Sequence, residues 1–366
     1  MELPKEKILE VLEKIRHPET KKGLVSSGMV HDVSYREGEL WVGLQFSRAN
    51  DPFIESLKKA AMRAVNGSYG EGTLLPGHIQ VLVPEPPAKR EILPHVKNIV
   101  AVASGKGGVG KSTVAANLAV ALAQSGKQVG LIDADVYGPS IPKMFGVEGE
   151  RPSARSEDGV EWIIPIEKYG VKLLSVGLFV RPEDAVIWRG PMATSALKQL
   201  ISQGDWGELD YLLIDLPPGT GDVHLTMVQE VPVTGVIIVS TPQDVALADV
   251  IKGINMFAGD KINVPVLGLV ENMSWFTPEE LPDHKYYIFG KDGCKKLAER
   301  MGIPLLGQVP IVQGIRESGD SGKPIAAMSG DPSGSAFRQL SEEVVRAIEK
   351  RNTGQPPTKK VEITSK

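Results

Sequence analysis

A glycine-rich segment with two lysines is the part of the sequence whose residue types most clearly indicate chemistry. The run from Gly105 to Ser112 fits the pattern G-x-x-x-x-G-K-[S/T], in which glycines let the backbone approach a phosphate closely. We predict that it binds a nucleotide, with Lys111 beside the β- and γ-phosphates and Ser112 on Mg²⁺. The predicted nucleotide-binding residues of the loop are Gly105, Lys106, Gly107, Gly108, Val109, Gly110, Lys111, Ser112 and Thr113.

A strand and a helix are predicted on either side of this loop. Residues 98–103 are continuously apolar apart from Asn98, and residues 113–125 place Val114, Leu118 and Leu122 one helical turn apart. The start of a helix offers free backbone N–H groups and a positive dipole end to an anion. An ordinary glycine-rich turn lacks this context, so the sequence predicts a phosphate-binding loop.

Carboxylates follow two other apolar runs. Asp215 ends the run 211–214 and precedes a Gly/Pro-rich loop whose Gly219 is the expected hinge of a γ-phosphate sensor. Asp133 and Asp135 are spaced by two, so in extended chain they point the same way. We assign Asp215 and Asp133, with Ser112, to Mg²⁺ and Asp135 to the attacking water; the roles of Asp133 and Asp135 are exchangeable at this stage.

Asn272 follows the apolar run 266–270 and Glu271. Its amide is placed to hydrogen-bond the edge of a nucleotide base. A residue that only forms a turn at the end of a strand would look the same in the sequence.

Apolar runs recur along the chain with helical segments between them, and they are continuous instead of alternating. This pattern indicates strands buried on both faces of a parallel sheet, where ligands bind beyond the carboxyl ends of the strands. We therefore predict an α/β fold of the P-loop NTPase type, with a mostly parallel sheet flanked by helices and a small α+β domain before it. The predicted strands span 98–103, 129–133, 171–176, 211–215, 235–241, 266–272 and 305–309.

The domain organisation follows from the same pass along the sequence. Residues 1–83 are predicted to form the small α+β domain and 84–96 a Pro-rich linker. Residues 97–350 form the ATPase domain, whose last helix spans 336–350, and 351–366 are predicted to be a disordered tail.

Composition excludes several classes of function. The chain has 366 residues, 42% of them hydrophobic, with a net charge of −4 and a pI near 6.0, which does not suit a nucleic-acid binder. No apolar run reaches the roughly 18 residues of a membrane span, and the first residues lack the apolar core of a secretion signal. With a single cysteine, Cys294, we expect a cytoplasmic protein without disulfides.

The glycine-rich loop resembles the deviant phosphate loop of MinD/ParA-type ATPases. Further motifs are similar to the Mrp/ApbC branch of iron–sulfur cluster carriers, and the small N-terminal unit resembles a domain of iron–sulfur assembly factors. These motifs occupy residues 133–142, 188–192, 215–222, 271–274 and 319–324.

This resemblance implies an ATP-hydrolysing homodimer that carries iron–sulfur clusters to apo-proteins or works with other assembly factors. It also implies that Lys106 reaches the phosphates bound to the partner subunit, which makes Lys106, Lys111 and Asp135 the expected catalytic set. Charge supplied across an interface ties hydrolysis to the geometry of the dimer. Neither nucleic acid nor membrane is an expected partner.

The sequence departs from this family in its cysteines. The family pattern has a C-x-x-C pair shortly after the segment matching Glu271–Ser274, whereas residues 275–284 here contain no cysteine. The small domain also lacks a cysteine at 47–52. Thiolates are the usual ligands of iron–sulfur clusters, so Cys294 is the remaining candidate cluster ligand. A packing role and a redox role for Cys294 are the alternatives.

Three other functions remain open at this stage. A nucleotide-gated adaptor would dock assembly partners without holding a cluster, which fits retained acids and absent thiolates. A positioning ATPase would act on membrane or DNA, although the mixed charge of residues 336–350 does not suggest a membrane helix. A metabolic kinase would transfer phosphate to an acceptor other than water.

Overall fold

The computed structural model of the chain describes residues 3–46, 51–83, 92–157, 159–179, 190–278, 280–281, 283–328, 330 and 332–361. The chain divides into two compact units, Met1–Glu91 and Ile92–Lys366. Several predicted features fall partly outside the described residues. Residues 84–91 of the linker, Trp188 and Arg189 of the motif at 188–192, and residues 47–50, 279, 282 and 362–366 are not covered.

The small unit is a three-stranded sheet with two helices. Strand β2 pairs antiparallel with β1 and parallel with β3. Because side chains alternate along a strand, Leu40, Val42 and Leu44 all enter the core, where Ile8 and Leu57 of the two helices are also buried. The elements are α1 (Lys5–Glu13), β1 (Val30–Arg36), β2 (Glu39–Gln45), α2 (Ile54–Tyr69) and β3 (Ile79–Leu82).

The large unit is built on an eight-stranded sheet in the order β13-β12-β11-β4-β10-β5-β9-β8. All neighbouring pairs are parallel except β8 with β9. A separate hairpin pairs β6 with β7. The strands are β4 (Val96–Ser104), β5 (Val129–Asp133), β6 (Ser153–Glu157), β7 (Val160–Ile164), β8 (Ile166–Lys168), β9 (Val171–Ser175), β10 (Leu209–Asp215), β11 (Gly235–Ser240), β12 (Val266–Phe276) and β13 (Leu305–Ile311).

Helices cover both faces of this sheet. One face packs against α3, α4 and α10, and the other against α5, α6, α7 and α8. These helices are α3 (Lys111–Gln124), α4 (Ile141–Phe145), α5 (Gly190–Gln203), α6 (Asp222–Glu230), α7 (Asp244–Ala258), α8 (Gly293–Met301), α9 (Gln313–Asp320) and α10 (Pro332–Gly354).

The central strand β4 shows why its sequence is continuously apolar. Ile99, Ala101 and Ala103 enter the core on one face, and Val100 and Val102 enter the core on the other. A strand covered on both sides has no solvent-facing positions, so the alternation of an exposed sheet is lost. The predicted α/β architecture with a preceding α+β unit is confirmed.

The C-terminal segment differs from its prediction. Helix α10 continues to Gly354 with Phe337, Leu340, Val344 and Ile348 in the core. Beyond it, the Val361 amide donates to the Val228 carbonyl at 3.0 Å, so the predicted disorder from residue 351 is wrong as far as Val361; residues 362–366 lie outside the described residues. Within the described parts of the chain, no helix combines the length and apolar character needed to cross a membrane.

Candidate functional site

The phosphate-binding loop connects β4 to α3 at the carboxyl edge of the sheet. Two of its glycines are required by close approach to other elements. A Cβ on Gly105 would lie within 2.7 Å of backbone and side-chain atoms of Asp249 and the amide of Val250 in α7. Gly110 has a φ of 78° and would overlap the Asn272 amide if it carried a side chain. The loop therefore sits tightly between α7 and the end of β12.

Helix α3 presents a bare N-terminus to this loop. Gly110 stands at the N-cap position, and no side chain caps the helix. The first amides of an α-helix have no partners inside the helix, and they carry the positive end of the helix dipole. The 14-residue helix therefore offers hydrogen-bond donors to a phosphate group.

Lys111 is the centre of a buried charge cluster. Its Nζ lies 2.7 Å from Asp215 Oδ1 and 3.9 Å from Asp135 Oδ2, and it is 6% exposed. Burial raises the pKa of Asp215, while Lys111 opposes that rise. The second oxygen of Asp215, Oδ2, is buried and has no hydrogen-bond partner among the described residues. A buried carboxylate oxygen without a partner is suited to a cation or a water bound to one.

Asp133 lies next to Asp215 on the neighbouring strand, in register. Its oxygens accept hydrogen bonds from Ser175 Oγ at 2.9 Å, from the Ile141 amide at 3.3 Å and from the Asp135 amide at 3.2 Å. Burial and the nearby Asp215 charge raise the pKa of Asp133 to about 7. These bonds hold Asp133 in place beneath the Asp135 loop, and its predicted support of the Mg²⁺ shell stays a prediction.

Asp135 is the more accessible acid of the pair. Its side chain is 14% exposed and lines the cavity of the phosphate loop. Burial raises its pKa, with Lys111 opposing that shift. Asp133 is therefore buried while Asp135 faces the cavity, and the division of roles between the two acids stays a prediction.

Asn272 contacts the loop directly. Its side-chain amide donates to the Val109 carbonyl at 2.8 Å, and the residue is 6% exposed. This bond holds the phosphate loop against the end of β12. Asn272 also lines a neighbouring cavity, so the predicted contact with a base edge stays a prediction.

Three cavities meet at the loop. The loop itself encloses about 210 Å³. On one side it continues into about 460 Å³ lined by Asn272, Met273 and the segment 310–312. On the other side lie about 420 Å³ lined by Asp135, Tyr137 and Pro218. Volumes of this size suit a small ligand.

His224 is a residue of this site that the sequence reading missed. It is 1% exposed, and its Nδ1 accepts the Gly221 amide at 3.2 Å at the start of α6. Burial lowers its pKa to about 4, so the ring is neutral. The ring thereby anchors the Gly/Pro-rich loop after Asp215. The spacing of Gly221 and His224 could have revealed this cap in the sequence, because a residue three positions after the N-cap can accept a hydrogen bond from the N-cap amide.

Cys294 lies in the core and not at a surface. It is fully buried at the start of α8, where burial and the Glu271 charge raise its pKa to about 12. The Cys294 amide and Gln308 Nε2 each donate to the buried Glu271 carboxylate at 2.7 Å. A buried, neutral thiol favours the packing role, and ligation of a cluster by Cys294 stays an untested prediction.

The segment after β12, where relatives were expected to carry thiolates, holds an aromatic turn instead. Phe276 and Tyr286 form a β-bridge, and Lys285 Nζ lies 3.9 Å from the centre of the Trp275 ring. Among the residues that the structure describes, no group of three or more His, Cys, Asp or Glu side chains could hold a metal ion.

Two family models match the chain. Residues 95–345 match the model of the NUBPL iron-transfer P-loop NTPase, and residues 5–73 match that of an iron-sulfur cluster assembly protein.

Curated relatives extend over most of the sequence. The iron-sulfur cluster carrier protein of Synechocystis sp. is 43% identical over 322 residues, covering 87% of this chain and 90% of the relative. That of Escherichia coli is 42% identical over 343 residues, covering 92% and 90%. The iron-sulfur cluster transfer protein NUBPL of Dictyostelium discoideum is 49% identical over 266 residues, covering 72% and 81%.

One solved structure is similar to about two thirds of this chain. The nucleotide-binding protein of Archaeoglobus fulgidus, determined in complex with ADP, is 37% identical with a TM-score of 0.56. The match covers 67% of this chain and 93% of that protein.

Proposed function

Because the chain belongs to the NUBPL iron-transfer P-loop NTPase family, we propose that it hydrolyses ATP with Mg²⁺ and uses this turnover to carry iron–sulfur clusters to apo-proteins. The observation that carries the proposal is the Lys111–Asp215 pair at the uncapped start of α3. It joins a phosphate-binding cation to a carboxylate whose second oxygen has no hydrogen-bond partner among the residues that the structure describes.

The charge cluster supports a sequence of contacts during turnover. ATP brings phosphates to the first amides of α3, and Lys111 Nζ moves from Asp215 to the β- and γ-phosphate oxygens. Asp215 and Ser112 Oγ are the residues that would hold Mg²⁺. Mg²⁺ at that position would neutralise charge that develops on the phosphates. Asp135, facing the cavity beyond the loop, accepts a hydrogen bond from the attacking water and orients it.

Lys106 supports action as a homodimer. It lines the phosphate cavity, yet among the described residues it forms no ion pair. We assign it to the phosphates bound by the partner subunit, where it stabilises charge as the γ-phosphate leaves. Hydrolysis then depends on assembly of two copies.

A nucleotide-gated adaptor is the second candidate, and the burial of Cys294 favours it. With its thiol in the core, a dimer offers no accessible thiolate of its own. The chain would then bring cluster-bearing and apo partners together in its ATP-bound form without holding the cluster.

Anaerobic reconstitution with iron and sulfide separates the two candidates. The measurement is iron and sulfide per dimer, with the visible absorption spectrum, for the wild type and for Cys294→Ala. A stoichiometric cluster in both proteins supports a carrier that uses other ligands. A cluster lost only in the variant would contradict the buried-thiol interpretation, and no cluster in a protein that hydrolyses ATP supports the adaptor.

The proposed binding of ATP by the phosphate loop has a separate test. Lys111→Ala is expected to lose tight binding of a fluorescent ATP analogue, because the phosphate charge is left without its cation. An unchanged affinity would contradict the assignment of the loop.

A further inference from the structure

A groove between α7 and α8 lies outside the nucleotide site. Its volume is about 720 Å³, and its apolar floor consists of Leu247, Ile251 and Leu297. Leu297 is 3% exposed, so the floor continues into the core. A concave apolar surface of this size suits the side chain of a docking peptide.

The rim of the groove is positively charged. Lys291, Lys296 and Arg300 line it, against the single carboxylate of Asp244. No carboxylate of the described residues lies within 4.0 Å of these three cations. Lys291 Nζ lies 5.0 Å from the centre of the Tyr287 ring, and Lys296 Nζ donates to the Lys291 carbonyl at 3.5 Å. The groove therefore suits an occupant with an apolar anchor and negative charge.

The turn after β12 has this chemistry. Leu281 is 43% exposed, and the acidic residues Glu280 and Asp283 flank it. The Leu281 amide donates to the Pro278 carbonyl at 3.1 Å, and the His284 amide donates to the Leu281 carbonyl at 3.0 Å. Neither acid forms an ion pair with another described residue. We call residues 280, 281 and 283 the acidic turn.

We propose that the acidic turn of one copy docks in the α7–α8 groove of a second copy. Leu281 packs on the floor made by Leu247, Ile251 and Leu297, and the two acids face Lys296 and Arg300. Both surfaces are on one chain, so a two-fold axis forms the contact twice. The docking rests on the proposed homodimer and names the surface that joins it. It also gives the segment without cysteines a role.

The argument for a second copy is charge complementarity within one sequence. Three cations without an ion-pair partner among the described residues border an apolar floor, and two acids equally without one there flank an exposed leucine. Charges at the edge of an interface contribute mainly to association rate and partner choice, while the buried leucine contributes affinity. Dimerisation through this contact is therefore expected to weaken with salt.

Charge reversal tests the contact. The measurement is the dimer dissociation constant in Mg²⁺-ATP by sedimentation velocity. The groove variant Lys296→Glu/Arg300→Glu and the turn variant Glu280→Lys/Asp283→Lys should each raise it at least about tenfold. All four changes together should return it to within about threefold of the wild type. Lys350→Glu, an exposed reversal on α10 at the opposite face of the sheet, is the matched control.

Each other outcome has a definite meaning. Reversals without effect on a wild type that dimerises would overturn the contact. Reversals that weaken the dimer but are not rescued in combination would also overturn it and assign the groove to another occupant. A wild type that hydrolyses ATP as a monomer would overturn both this contact and the trans role of Lys106, while hydrolysis stands. A wild type that binds no ATP would refute the proposed function instead. In that case, the effect of the charge reversals on dimerisation is measured by chemical cross-linking of the nucleotide-free protein.

Discussion

Lys111 has two partners in this account, and only one of them is present without nucleotide. In the structure it neutralises Asp215, a carboxylate with no exposed surface. With ATP it is proposed to bind phosphate and to release Asp215 for Mg²⁺. The same lysine therefore contributes to the stability of the free protein and to nucleotide affinity.

This dual role predicts an effect of Lys111→Ala on stability without any nucleotide. The variant leaves Asp215 buried without its cation, which should lower the free energy of unfolding by about 3 kcal/mol. Urea denaturation of the nucleotide-free protein measures it. Lys106→Ala is the control, since this lysine of the same loop has no ion-pair partner in the described parts of the chain, and it should stay within about 0.5 kcal/mol of the wild type. Equal stability of all three proteins would contradict the role of the pair.

Asp135 is predicted to act in hydrolysis and not in binding. Asp135→Asn keeps the size and polarity of the side chain but removes the carboxylate that orients the attacking water. We expect kcat to fall at least about a hundredfold, while ATP affinity changes by less than about threefold. Phosphate release and titration with a fluorescent nucleotide measure the two quantities. Normal turnover would move the catalytic role to another acid.

At the scale of elements, the sequence predicted the strands that carry the site. The run 129–133 matches β5, and Asp133 and Asp215 end neighbouring strands as expected. Continuous apolar runs predict such strands well because both faces are covered. The antiparallel edge strand β8 and the β6–β7 hairpin were missed, since their residues are largely exposed or half-buried and form no apolar run.

Contacts between distant elements could not be predicted from the sequence. The residue types do not reveal that Asp133 accepts a hydrogen bond from Ser175. They also do not reveal that Asn272 donates one to the Val109 carbonyl, 163 positions earlier in the sequence. Strand β12 also runs four residues past its predicted end, because Phe276 pairs with Ile311 after a register shift. The burial of Cys294 similarly depends on the packing of α8 and not on its neighbours in sequence.

The cap that His224 places on α6 predicts a pH dependence. Its folded pKa of about 4 lies below the ordinary value near 6.5, so the unfolded chain binds the proton first as pH falls. The stability from the neutral ring is present above about pH 6.5 and is lost as pH falls towards 4. Between pH 7 and 5 the wild type should lose about 2 kcal/mol more than His224→Gln, which keeps an acceptor and does not titrate.

The quantity to measure is the difference in the free energy of unfolding between the wild type and His224→Gln, obtained by urea denaturation at each pH. Asp133, with a raised pKa, acts in the opposite direction in the same window: its contribution is present below about pH 4 and is lost as pH rises towards 7. This contribution is common to both proteins and cancels. Parallel pH curves for wild type and variant would contradict a buried neutral His224.

At the scale of the whole molecule, the family resemblance predicted from the motifs is confirmed by the match over residues 95–345 and by relatives over most of the chain. The residues for nucleotide binding and those for cluster binding differ in how completely this chain supplies them. The loop, Lys111 and the aspartates are all in place, whereas the one thiol is in the core. This arrangement supports the proposed nucleotide turnover, whereas the burial of Cys294 disfavours it as a cluster ligand.

The most direct test of this account is ATP-dependent cluster transfer. A cluster-loaded scaffold protein and an apo-ferredoxin are mixed anaerobically with this chain, and visible circular dichroism follows the appearance of holo-ferredoxin. We expect the wild type to accelerate transfer with Mg²⁺-ATP, and we expect Lys111→Ala to leave the rate at that of the mixture without this chain. Equal rates with and without the wild type, or acceleration that Lys111→Ala retains in full, would contradict nucleotide-driven cluster transfer.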